Sequence, residues 1–203
     1  MNGFVIWLMI LLGLAEVMVK RRTVAVGLVT AQALILVGFA ISEANSIDRL
    51  IIAGALALRA FGLAFLYIYL IRRTHEVTPV IASIGPLSRA GIAISLSLAL
   101  IWLFGSTTLV TPDTSKAVLV LVVFGVVTVI TRRATLLQVL GIVLIENGLA
   151  LSALVIPGGS SLFIEIGVTL DLILMSLVAS AFHFRIFSEF GTANAGALRS
   201  LRD

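Results

Sequence analysis

Cysteine is absent from the 203-residue chain, which excludes a thiolate ligand set for an iron–sulfur cluster, a disulfide and a thiol nucleophile. Charge is scarce as well, at 12% of residues, where a soluble domain carries about 25%. With 60% hydrophobic residues and a mean hydropathy of +1.20, the chain reads as an integral membrane protein. Its length accommodates about seven or eight helices of roughly 20 residues, leaving almost nothing for a soluble catalytic head. The last apolar run holds no lysine for a retinal Schiff base, and the two histidines, His75 and His183, both lie toward one edge of the predicted bundle, which argues against a haem. No phosphate-binding glycine loop, metal-ligand cluster or nucleophile–base arrangement occurs. The chain is therefore expected to have no catalytic centre of its own and to need no cofactor.

What is present is a series of apolar runs, at about 3–19, 24–41, 50–71, 89–105, 115–131, 136–155 and 162–186. They predict an all-α integral membrane protein of about seven transmembrane helices. No basic leader precedes the first run and charge follows it, so it reads as a first transmembrane helix and not a cleaved signal. With seven spans, Lys20, Arg21, Arg22, Arg72, Arg73, Arg89, Arg132, Arg133, Arg185, Arg199 and Arg202 fall on one side, and only Arg49 and Lys116 on the other. Eleven basic residues against two place the N-terminus outside and the C-terminus in the cytoplasm. The high pI has the same origin: the basic residues mark helix ends and form no nucleic-acid patch. The loop from Gly105 to Lys116 divides the chain into a four-helix region, 1–110, and a three-helix unit, 111–187, followed by a cytoplasmic tail, 188–203.

Against this apolar background Glu146, Asp171 and Arg59 stand out, each with roughly ten apolar or small residues on either side. A charge at that depth costs from about 3 to more than 10 kcal/mol, so such residues mark a function by default. Glu146 lies about 12 residues before the turn near Gly158 and Asp171 about 13 after it. At 1.5 Å rise per residue, both sit about 18–20 Å below that turn, which predicts two carboxyls within reach of each other or of one bridging water. Burial and mutual repulsion both disfavour the doubly ionised state, and a shared proton is what a relay needs. The competing reading is a hydrogen bond from a protonated acid to Asn147 or Ser152. Arg59 either tunes a nearby carboxylate or forms a static ion pair. Gln32 either continues a hydrogen-bonded path or packs. Glu16 reads as an interfacial ion pair with the Lys20–Arg22 cluster or as a relay member. Glu165 is a solvated helix-start acid or an outer proton mouth. His183, near the cytoplasmic end, is a proton link or a snorkelling imidazole.

The stretches TRRATLLQVLGIVLIENGLALSAL and FIEIGVTLDLILMSLVASAFHFR resemble the K-type membrane subunit of respiratory complex I and the C-type subunit of multisubunit cation/proton antiporters. Arg133, Gly141 and Asn147 match that pattern, and Asp171 stands at its second acid. Where the complex I pattern has its first Glu, this chain has Val143; the acid is Glu146, nearly one turn further along the same face. The longer hydrogenase-4 component E family is similar over nearly the whole chain. The shared features are the triplet Glu146-Asn147-Gly148, the pattern of Glu165, Ile166, Gly167 and Asp171, the spacing of Lys20, Gly27 and Gln32, and a buried basic residue where Arg59 stands. The resemblance implies a non-catalytic subunit of a group 4 hydrogenase-like or complex I-related assembly in the inner (cytoplasmic) membrane. It further implies that antiporter-like membrane subunits are its partners and that Glu146 and Asp171 belong to a hydrophilic axis. A structural adaptor, or a component of a Na⁺/H⁺ antiporter, are the alternatives.

Overall fold

The structure, a computed structural model, describes residues 3–42, 44, 46–74, 84–104, 112–155 and 162–190, with backbone alone at 74, 112, 162–165 and 190. Seven helices occupy them: α1 Gly3–Met18, α2 Arg22–Ser42, α3 Ile47–Thr74, α4 Pro86–Phe104, α5 Pro112–Thr131, α6 Thr135–Val155 and α7 Leu162–Phe190. Six are long and apolar enough to cross a membrane; α1, with 16 residues, is the short one, about 24 Å in length. The chain is thus a multi-pass helical membrane protein. The turn near Gly158, His75 and the tail beyond Phe190 lie outside the described residues.

Helix boundaries follow local chemistry. Ser46 precedes α3, its Oγ accepts the backbone N–H of Arg49 at 3.4 Å, and Asp48 adds an acid in the first turn, while Arg72 and Arg73 close the last. That is the arrangement a helix dipole favours. Pro86 and Pro112 open α4 and α5, where a missing N–H costs nothing. α5 passes into α6 through Arg132–Ala134, and Gln138 Nε2 donates to the Arg132 carbonyl at 2.9 Å, holding the turn.

Lipid gives helices no hydrophobic reason to associate, so close backbone approach has to supply the attraction. The α5–α6 pair does this with glycine. A Cβ on Gly125 would meet the Gly141 carbonyl at 2.5 Å, and one on Gly141 would meet the Gly125 carbonyl at 2.9 Å. Gly148, two turns further on, faces Leu121 Cβ at 3.0 Å in the same sense. Around this pair, α1 and α4 pack on α5, α2 packs on both α6 and α3, and α7 rests mainly on α3 and less on α6. The described helices therefore interlock across the boundary at 110. The tight pair is α5 with α6, because that is where the glycines are, and α6 meets α7, the helices whose acids were expected within reach of each other, less closely. One apolar core gathers α1, α5 and the first turns of α3 with parts of α2 and α6; a second gathers α2, α3 and α6 around Tyr67, Leu137 and Leu140. Phe4, Trp7, Phe61, Phe65 and Trp102 face outward, as a lipid-bathed surface requires.

Gly125→Ala is expected to lower stability by about 1–3 kcal/mol through overpacking, seen as a fall in melting temperature in detergent. Gly27→Ala, where a Cβ meets open space, is expected to be neutral or slightly stabilising. Equal effects of the two would contradict glycine-mediated contact.

Candidate functional site

Arg59 sits about 18 Å from one end of α3 and about 22 Å from the other by helical rise, and only 1% of its surface is exposed. Its Nη2 donates to Asn147 Oδ1 on α6 at 3.4 Å. Asn147 Nδ2 donates to Gln32 Oε1 on α2 at 3.0 Å and approaches the Val29 carbonyl at 3.5 Å. Gln32 Nε2 donates to the Met9 carbonyl of α1 at 2.9 Å. The result is one buried polar layer through four helices, near the middle of each. Carboxamides suit this place because each side chain both donates and accepts, so the line is continuous and carries no further charge. Glu146, next in sequence to Asn147, is half-buried on α6. Beside the layer, Arg59, Asn147, Thr30 and Tyr67 line a cavity of about 10 Å³, at the lower limit for one ordered water.

A second polar cluster lies toward the other end of α1. Glu16 is fully buried and accepts Thr128 Oγ1 from α5 at 3.0 Å. Arg132, just past α5, donates through Nη2 to the carbonyls of Glu16 at 3.2 Å and Val17 at 3.0 Å, and to that of Val19. It thereby ties off the frayed end of α1, whose last carbonyls lack helical partners. Arg89, at the start of α4, is buried in the same field, and none of its guanidinium nitrogens has a hydrogen-bond partner among the described residues. Burial and then the like charge of Arg89 lower the Arg132 guanidinium to about 10 against the pull of Glu16, so it stays cationic at neutral pH. The field of one carboxylate thus acts on two guanidiniums. The expected pairing of Glu16 with Lys20–Arg22 is replaced: its partners come from α4 and α5, because the carboxyl points into the bundle.

The third group ties α7 to α3. Tyr67 Oη and Ser176 Oγ share a 2.7 Å hydrogen bond, and two turns beyond Ser176, His183 is buried at 1% exposure beside Tyr67, Thr135 and Ser180. His183 does not snorkel to an interface. Asp171 stands on the exposed face of α7 and forms no ion pair or hydrogen bond among the described residues. Among the described residues no hydrogen bond links the two carboxyls expected to share a proton, because α7 leans on α3 and turns Asp171 outward. Glu165 falls in the first turn of α7, its side chain outside the described residues. Arg89, Arg132 and Thr128 escaped the sequence reading: basic residues at helix ends look topogenic, and only packing shows which of them turn inward.

No known family model matches the chain, and no solved structure matches it. It is similar to the Uncharacterized protein Rv0085 of Mycobacterium tuberculosis, with 30% identity over 94 residues, which is 46% of this chain and 43% of that protein. The match thus spans less than half the length of that relative.

Glu16→Ala is expected to cost about 3–5 kcal/mol, because it leaves buried guanidiniums uncompensated. The double variant Glu16→Ala/Arg89→Leu is expected to recover part of the loss. Strict additivity of the two substitutions in thermal melts would show that the charges do not interact.

Proposed function

We propose that the chain is a non-catalytic membrane subunit of a group 4 nickel–iron hydrogenase-like, complex I-related assembly, and that its mid-membrane polar layer belongs to a proton-translocation path. The observation that carries this reading is Arg59, buried at mid-helix and bonded to Asn147 beside Glu146. In this reading Arg59 acts on Glu146, since a cation near a protonatable acid shifts the balance between its ionised and neutral forms. Gln32 and Asn147 extend a hydrogen-bonded line away from it. In this reading Glu146 is the proton carrier, Arg59 its tuning charge and His183 a link toward the cytoplasmic side. The resemblance of the Glu146-Asn147-Gly148 and Glu165…Asp171 segments to the hydrogenase-4 component E family supplies the assembly, and antiporter-like subunits are the proposed neighbours. The proposed setting is the inner (cytoplasmic) membrane, N-terminus outside.

A second reading, a structural adaptor, is favoured by Asp171. A carboxylate on the outer face of a membrane helix calls for a polar or cationic group from a neighbouring subunit. The two readings divide on one substitution. In the assembled complex, Glu146→Gln is expected to leave subunit composition on a native gel intact while proton pumping falls at least tenfold. Full pumping would sink the relay, and loss of assembly would favour the adaptor. Orientation is tested separately on the cysteine-free chain. A single cysteine at Arg73 should react with an impermeant maleimide only from the cytoplasmic side, and one at Ser46 only from outside. The reverse pattern would overturn the proposed topology.

A further inference from the structure

Near the end of the bundle where α1 and α5 begin and α4 ends, a cavity of about 390 Å³ opens between these three helices. Its size lies in the range of small-molecule sites, about 300–1,000 Å³. The walls are apolar, with Ile6 and Ile10 from α1, Ile94 and Ile101 from α4, and Val120 and Phe124 from α5. Water gains little in such a space, because an apolar cavity offers it no partners. The long axis follows α5: from Lys116 to Phe124 the helix rises about 12 Å, which suits an extended hydrocarbon chain lying parallel to the helices.

One end of the cavity is different. Asp113 and Lys116 line it together, one turn apart at the start of α5. Neither forms an ion pair or a side-chain hydrogen bond among the described residues, although their spacing would allow one. A carboxylate and an ammonium left unpaired side by side at the head of an apolar slot are complementary to a head group carrying both signs. The start of α5 adds the positive end of a helix dipole, which favours a phosphate there.

We propose that this cavity binds a phospholipid with a zwitterionic head bearing a primary ammonium, one acyl chain lying along α5 between α1 and α4. Its phosphate meets Lys116 and its ammonium donates to Asp113. An anionic head leaves Asp113 opposed by like charge. A quaternary ammonium has no N–H with which to bond the carboxylate. Gln32, Arg59 and Asn147 do not line this site, which does not depend on the proton-path reading.

The test uses the full chain, delipidated in detergent and re-exposed to phosphatidylethanolamine, phosphatidylglycerol or phosphatidylcholine, with retained lipid counted by native mass spectrometry. One phosphatidylethanolamine per chain is expected, retained at least tenfold better than the other two, since a charged hydrogen bond is worth about a factor of ten or more. Lys116→Gln and Asp113→Asn should each erase that preference. Ser97→Leu, which adds volume inside the cavity, should abolish retention; if it does not fold, Ile94→Trp, on the exposed rim, is read in its place. Retention of no lipid, equal retention of all three, or undiminished retention in the filled variant would overturn the proposal.

Discussion

A guanidinium held about 18 Å from the nearer end of its helix cannot reach the water at the membrane surface, and the arrangement of four helices follows from satisfying it. Arg59 needs an oxygen that is itself supported, because an isolated acceptor in hydrocarbon would be as costly as the cation. Asn147 provides that oxygen on α6, Gln32 holds Asn147 from α2, and the Met9 carbonyl of α1 receives what Gln32 has left. Each member makes the next tolerable, so the layer fixes rotation and register for α1, α2, α3 and α6 together. Buried networks of this kind are valuable when complete and costly when broken.

The second cluster applies the same constraint elsewhere. Arg132 is buried because it closes the carbonyl end of α1, and Glu16 is drawn inward by Thr128 and by the guanidinium field of Arg132 and Arg89. The α5–α6 glycine contact makes both clusters feasible. It brings α6 close enough for Asn147 to reach α2 and α3, and Thr128 and Arg132, which follow Gly125 along the same stripe of α5, reach α1 from beside that contact. α7 takes little part in this scaffold. It is held through Tyr67–Ser176 and the buried His183, and it leaves Asp171 on the outer surface.

Helix number, type and approximate limits were legible because long apolar runs punctuated by charge leave few alternatives in a bilayer. Arg59 was legible as a deep charge for the same reason. What could not be read was direction around the helix. Every face of these helices is apolar, whether it meets lipid or protein, so periodicity says little about which way a side chain points. Asp171 and Glu146 therefore seemed equivalent by depth, while the packing of α7 on α3 separates them. Glu16 was assigned to neighbours on its own chain segment, whereas its partners lie more than 70 residues away, at Arg89, Thr128 and Arg132. Gln32 offered two readings and Asn147 figured only as a partner for a protonated acid or a matched position, and only the tertiary contact makes them consecutive members of one line.

In the proposed function the line from Gln32 through Asn147 to Arg59 serves proton movement as well as packing. The most direct measurement is the number of protons translocated per electron pair by the reconstituted complex carrying Asn147→Leu, which keeps side-chain size and removes the hydrogen bonds. Continued electron transfer with a sharply reduced proton yield is expected. An unchanged proton yield in an assembled, active complex would contradict it.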